Sequence, residues 1–104
     1  DDQTVPIMSL GGLGVISVFA NIMPRQMHQI TQLMLDGKCK EAARLHLQYL
    51  ELMNALFSDV NPIPVKTAMN LMGFTCGECR LPLVPMSAGA LSGLKECLKK
   101  FGLL

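Results

Sequence analysis

The chain has 104 residues, of which 50% are hydrophobic and 16% charged, and its formal net charge is +1. A nucleic-acid-binding surface needs clustered Lys and Arg, whereas the basic residues here are scattered. Their one local cluster is typical of a solvated helix face and consists of Lys95, Lys99 and Lys100. The charge pattern therefore excludes a nucleic-acid footprint, and the length fits one domain or part of a larger one.

The first quarter of the chain carries no charge between Gln3 and Pro24. About 20 apolar residues in a row would be long enough to cross a bilayer. Prolines, glycines and polar residues interrupt this run, namely Pro6, Ser9, Gly11, Gly12, Gly14 and Asn21. In addition, no basic residues flank it in the positive-inside pattern. A membrane span is therefore rejected in favour of several short elements.

A short helix followed by a strand accounts for this uncharged segment. The pattern predicts a helix over Val5–Leu10, stopped by Gly11 and Gly12. Residues Gly14–Ala20 form a nearly continuous β-branched run, which is typical of a parallel strand buried on both faces. One strand has no partners for its N–H and C=O groups, so we expect the chain to be part of a larger sheet.

Four more helices are predicted after the strand, so the chain is mostly α, with about five helices and one strand. Pro24 suits a first helical position, Asn61–Pro64 is expected to be extended, and Ser87 is a candidate N-cap. The predicted helices are Pro24 to Gly37, Lys38–Phe57, Val65–Met72 and Ala88–Phe101.

The four cysteines include one Cys-x-x-Cys motif, Cys76-Gly77-Glu78-Cys79. A structural zinc site needs four ligands, and no second pair stands at ligand spacing. A redox motif is expected at a helix N-terminus, but this one lies in a loop bounded by prolines. Inert loop thiols are the preferred interpretation, with a metal site and a redox site left open.

The remaining candidates for chemistry are few. His28 and His46 lie on predicted helices without acidic or nucleophilic neighbours, His28 at the surface and His46 half-buried. Lys66 stands in a first helical turn, and an exposed or ion-paired lysine is preferred over a nucleophile, which needs a setting that keeps it neutral. Asp1 and Asp2 form the only acidic pair, and in isolation they are interpreted as solvated.

Three segments resemble the dihydrodipicolinate synthase family of pyruvate-dependent lyases. They are the run Leu10-Gly11-Gly12-Leu13-Gly14-Val15-Ile16-Ser17-Val18-Phe19-Ala20-Asn21, the signature Asn61-Pro62-Ile63-Pro64-Val65-Lys66, and Arg80-Leu81-Pro82-Leu83-Val84-Pro85-Met86-Ser87. The resemblance extends over the whole chain, and the spacings between the segments are preserved.

The resemblance implies that the chain is the C-terminal part of a (β/α)₈ barrel with an appended helical domain. Residues 1–36 would be the last crossover helix, last strand and last helix of the barrel, and residues 37–104 the helical extension. The implied full-length enzyme is a cytoplasmic homo-oligomer that condenses pyruvate with aspartate semialdehyde in diaminopimelate and lysine biosynthesis. It needs no cofactor, because pyruvate forms a Schiff base with a lysine.

The resemblance also implies where the site residues lie. The Schiff-base lysine, its tyrosine and the aldehyde-binding arginine would all precede this segment, so no catalytic residue or metal ligand is expected here and the chain alone should be inactive. Among the residues present, the backbone carbonyl of Ile16 would lie near pyruvate. Asp1 and Asp2 would lie at the rim of the site, and Leu10 in a region used between dimers in some members.

Three alternatives stay open from the sequence. The full-length protein would be another pyruvate-dependent aldolase of the same superfamily, since specificity residues lie mostly upstream. The chain would otherwise be a small helical Cys-x-x-Cys module that binds a metal or a partner, or a membrane-associated peptide using residues 3–24.

Overall fold

A computed structural model describes all residues, 1–104, and contains five α-helices and one 3-10 helix. The α-helices are α1 (Thr4–Ser9), α2 (Pro24–Leu35), α3 (Cys39–Ala55), α4 (Ile63–Leu71) and α5 (Ala88–Lys100), and the 3-10 helix is Phe19–Asn21. The chain divides into two compact units, Asp1–Met53 and Asn54–Leu104. None of the helices combines the length and apolar character that a membrane-spanning helix requires.

The first unit is built around α2, which packs against α1 and the 3-10 helix. The predicted stripe of α2 is confirmed, because Met27, Ile30 and Met34 are all buried. A small apolar cluster joins the helices of this unit and contains Met8, Met34 and Ala42, with Val5 and Leu33 against it. The 3-10 helix contributes Phe19, whose ring lies 5.7 Å from that of Tyr49 at an interplanar angle of 42°.

The predicted strand over Gly14–Ala20 is wrong for this chain, which forms no β-strand. Residues 12–17 are irregular, and Phe19 already begins the 3-10 helix. A strand is defined by hydrogen bonds to a neighbouring strand, and the backbone of residues 13–16 makes none within the chain. The predicted segment is non-helical at residues 14–17, but it does not continue to Ala20. Side chains that accept hydrogen bonds from the Phe19 and Ala20 N–H groups start the 3-10 helix instead.

The second unit packs α4 against α5. Helix α4 begins at Ile63, two residues before the predicted Val65, because Pro64 is tolerated in a first helical turn. Helix α5 begins where predicted, and Ser87 Oγ accepts a hydrogen bond from the Ala90 N–H. Between these helices, residues 74–80 are irregular, as the sequence predicts.

The resemblance predicts a barrel part at residues 1–36 and a helical extension at residues 37–104. This division refers to the fold of a full-length protein. The two compact units meet instead at Met53 and Asn54. The division at residue 36 therefore stays a prediction about the full-length protein.

Candidate functional site

The most organised polar arrangement in the first unit surrounds the carboxylate of Asp1. Its Oδ1 accepts a hydrogen bond from Ser17 Oγ at 2.5 Å, and its Oδ2 accepts one from the Phe19 N–H at 2.9 Å. The Asp1 carbonyl in turn accepts from both Thr4 Oγ1 at 2.8 Å and the Thr4 N–H at 3.1 Å. Asp1 thus joins the start of α1 to the start of the 3-10 helix.

Ser17 extends this arrangement by one further bond. Its hydroxyl donates to Asp1 and also accepts from the Ala20 N–H at 2.9 Å. The first two N–H groups of the 3-10 helix are therefore satisfied by side chains, as unpaired helix-end donors require. The carboxylate and hydroxyl together act as the N-terminal cap of this helix.

The irregular segment before Ser17 carries Ile16, the residue that the resemblance places near pyruvate. The Ile16 side chain is fully exposed, and Leu13 is 84% exposed. The backbone groups of residues 13–16 make no hydrogen bond within the chain. The segment borders a cleft of about 380 Å³, whose opposite wall includes Met27 and Thr31 of α2.

The two acidic residues at the start of the chain differ in the structure. Asp1 is half-buried and fully bonded, whereas Asp2 is exposed. Asp1 is therefore not the solvated residue that the isolated sequence suggested. Sequence reasoning missed Ser17 and the Phe19 N–H as its partners, because nothing in the sequence marks two positions 16 and 18 residues away as contacts. Leu10, the predicted dimer-region residue, is 89% exposed.

Two side chains of α4 hold the Cys-x-x-Cys loop through hydrogen bonds to the backbone of the loop. Lys66 Nζ donates to the Glu78 carbonyl at 2.8 Å. The Asn70 amide donates to the Gly77 carbonyl at 2.9 Å and accepts from the Cys76 N–H at 2.8 Å. Lys66 therefore has a structural role, tying the loop to its helix.

Neither the cysteines nor the histidines form part of a larger polar cluster. Cys76 and Cys79 are half-buried thiols, and no group of three His, Cys, Asp or Glu residues is placed to hold a metal ion. His28 is exposed as predicted, but His46 is only 6% exposed, more buried than expected, and its Nδ1 has no hydrogen-bond partner.

Comparisons with known proteins define the class of this chain. A profile of the Dihydrodipicolinate synthetase family matches residues 1–101. The chain therefore belongs to this family, which confirms the resemblance of its three signature segments.

Relatives and solved structures agree with this assignment. The chain is 58% and 53% identical over 104 residues to the 4-hydroxy-tetrahydrodipicolinate synthases of Thermoanaerobacter sp. (strain X514) and Clostridium tetani. The solved dihydrodipicolinate synthases of Thermotoga maritima and Aquifex aeolicus superpose on it with TM-scores of 0.94 and 0.96 at 45% and 42% identity. They cover 99% and 98% of this chain.

The chain spans about one third of the length of these relatives. The match covers 100% of this chain but 35% of each of the two synthases, and 35% of each of the two solved structures. About two thirds of each relative's residues therefore have no counterpart here.

Proposed function

We propose that this chain is the C-terminal third of a 4-hydroxy-tetrahydrodipicolinate synthase, a class I lyase that condenses pyruvate with aspartate semialdehyde in diaminopimelate and lysine biosynthesis. The observation that carries the proposal is the match of all 104 residues to synthases at up to 58% identity. One solved relative, the enzyme of Acinetobacter baumannii, is described as complexed with pyruvate and is 34% identical with a TM-score of 0.90.

The proposed reaction begins with attack of a lysine amine on the pyruvate carbonyl. Water leaves, an imine forms, and loss of a methyl proton gives an enamine that attacks the aldehyde carbon. A nucleophilic lysine must be neutral, which requires a desolvated or cationic setting. Lys66 is instead only half-buried and donates to the Glu78 carbonyl, and the other lysines are exposed. The reacting lysine therefore belongs to the part of the protein outside this chain, and the chain alone is inactive.

The unpaired backbone of residues 13–16 supports a place for this segment in a (β/α)₈ barrel. Unsatisfied N–H and C=O groups are costly when buried, and neighbouring strands of a barrel would pair them. Polar groups in such a barrel gather at the carboxyl ends of its strands. In this arrangement the Ile16 carbonyl lies near bound pyruvate, with Asp1 and Asp2 at the rim.

We further propose that the full-length protein is a cytoplasmic homo-oligomer. Ile7 and Leu10 are 56% and 89% exposed on the same short segment, and exposed apolar groups that lie together are typical of interfaces. One solved relative, 45% identical, is described as the first monomeric dihydrodipicolinate synthase variant. To describe one variant as the first monomer implies that such enzymes usually form oligomers.

Trapping with borohydride tests the proposed chemistry. The full-length protein and the 104-residue chain are each incubated with pyruvate and borohydride, and their intact masses are measured. Reduction of an imine is expected to add to the full-length protein the mass of pyruvic acid less one oxygen atom, and to leave the chain unchanged. Samples without pyruvate or without borohydride are the controls.

Each outcome of this experiment bears on a separate claim. An adduct on the chain alone contradicts its inactivity, and the absence of an adduct on the full-length protein contradicts the lyase assignment. Consumption of pyruvate is then followed with aspartate semialdehyde or with a sugar aldehyde as the second substrate. Turnover with the sugar aldehyde alone would identify another aldolase of the superfamily.

A further inference from the structure

The Asp1 carboxylate accepts one hydrogen bond on each of its two oxygens. Each oxygen receives one donor, Ser17 Oγ on one side and the Phe19 N–H on the other. An ionised carboxylate is acceptor-only, whereas an amide offers one acceptor and two N–H donors. An Ala at this position removes both acceptors, whereas an Asn can still accept from the Phe19 N–H and donate to Ser17 Oγ, since a hydroxyl also accepts hydrogen bonds.

The segment that carries Ile16 is held at its two ends and free between them. At one end, the Gly12 N–H donates to the Ile7 carbonyl at 3.1 Å. At the other end, the Ser17 side chain is held between Asp1 and the Ala20 N–H. No hydrogen bond within the chain intervenes, so the direction of the backbone just before Ser17 depends on this second attachment.

The Ile16 carbonyl belongs to the peptide group that joins Ile16 to Ser17. Once the Ser17 side chain and the Phe19 N–H are fixed on one carboxylate, the Ser17 backbone has little freedom to rotate this peptide group. Phe19 adds rigidity, because its side chain is 0% exposed and packs against Tyr49. The carboxylate therefore sets the orientation of a carbonyl that it does not touch.

We propose that Asp1, acting through Ser17, is the positioning residue for the Ile16 carbonyl at the pyruvate site. This role rests on the proposed function, since it requires that pyruvate bind beside Ile16. Asp1 is bonded to the Ser17 side chain and to the Phe19 N–H rather than to the substrate. Its effect is exerted on pyruvate binding, which a misdirected carbonyl weakens.

The test uses the full-length protein, numbered as in this chain, with pyruvate KM and kcat measured at saturating aspartate semialdehyde. Asp1→Ala and Ser17→Ala are each expected to raise the pyruvate KM about tenfold, the effect of roughly 1.4 kcal/mol of lost binding, while kcat changes less. Ser17→Thr, which keeps the hydroxyl, is expected to restore the wild-type KM. Thermal unfolding of each variant establishes that it is folded.

The matched controls are a serine hydroxyl and an aspartate carboxylate whose hydrogen bonds join residues three or four positions apart. Ser9 Oγ donates to the Pro6 carbonyl, and Asp36 Oδ1 accepts from Gln32 Nε2, both at exposed positions. Ser9→Ala and Asp36→Ala are expected to leave the pyruvate KM unchanged. If Asp1→Ala does not fold, Ser17→Ala and its threonine rescue carry the test.

A double substitution separates positioning from independent effects. Because Asp1 and Ser17 act in one chain of hydrogen bonds, Asp1→Ala combined with Ser17→Ala is expected to raise the pyruvate KM no further than the stronger single change. Wild-type KM in a folded Asp1→Ala variant, or additive effects, overturns the positioning role alone. A wild-type protein that forms no borohydride-trapped pyruvate adduct overturns the proposed function as well.

Discussion

Gly12 occupies a position with room for a hydrogen atom but not for a side chain. A Cβ built on it would lie 2.9 Å from Ile7 Cγ2 and 3.0 Å from the Ile7 carbonyl oxygen. The same carbonyl accepts the Gly12 N–H bond that ends the first turn after α1. Space, rather than an unusual φ, is what demands glycine here, in contrast to Gly11 with its φ of 103°.

Gly12→Ala is expected to destabilise the chain by about 1–3 kcal/mol, because the added methyl group forces the backbone at Ile7 to move. Gly14→Ala is the control, since its Cβ would meet nothing within 4 Å. That change is expected to be neutral, or to stabilise by up to about 1 kcal/mol through the unfolded state. Urea unfolding followed by circular dichroism measures both, and equal stabilities would contradict the close approach at Gly12.

At the scale of elements, α5 shows how a short polar signal starts a helix. Ser87 has extended backbone angles, φ −61° and ψ 156°, and its Oγ accepts from the Ala90 N–H at 3.3 Å. Lys99 and Lys100 lie in the last turn, where positive charge is favourable beside the partial negative charge of the helix end. Leu94 and Leu98 then bury one face of the helix.

Ser87→Ala is expected to cost about 0.5–1 kcal/mol, the lower part of the range for an N-cap because the bond is long. Ser92→Ala is the matched control, since Ser92 lies exposed inside the same helix, where alanine is favoured by a few tenths of a kcal/mol. Opposite signs of the two changes in the free energy of unfolding are the expected result. A loss of stability in Ser92→Ala as large as in Ser87→Ala would argue against the cap.

The helices were predictable because their signals are local. The stripe of α2, the glycine stops and the Ser87 cap are all read within one or two turns, and the predicted bounds lie within about two residues of the observed ones. The segment 14–20 failed for the opposite reason. Its structure depends on the Asp1 carboxylate, which lies 18 positions before Phe19 and which hydrophobic periodicity does not record.

At the scale of the molecule, the candidate site was predictable only in part. The family was recognised from three segments, and the profile match confirms it. The roles of Ile16, Asp1 and Asp2 in binding stay predictions. The bond between Asp1 and Ser17 spans 16 positions, and a contact of that kind follows from how α1 and the 3-10 helix pack, which no local pattern reveals.

The first unit exposes apolar side chains along one continuous stretch of sequence. Exposed apolar residues in this stretch are Ile7, Leu10, Leu13, Val15 and Ile16. The backbone groups of residues 13–16 are unpaired as well. Contiguous apolar surface and free backbone groups both promote association with other chains.

The 104-residue chain alone is therefore expected to self-associate, and light scattering coupled to size-exclusion chromatography measures its mass. Leu13→Glu places a charge in the exposed stretch and is expected to shift the chain toward the monomer. Leu81→Glu is a matched control, because Leu81 is also 84% exposed but belongs to the second unit. A monodisperse wild-type monomer would contradict the prediction that residues 7–16 promote self-association. An equal effect of both substitutions would show that added negative charge in general, rather than its place in this stretch, reduces association.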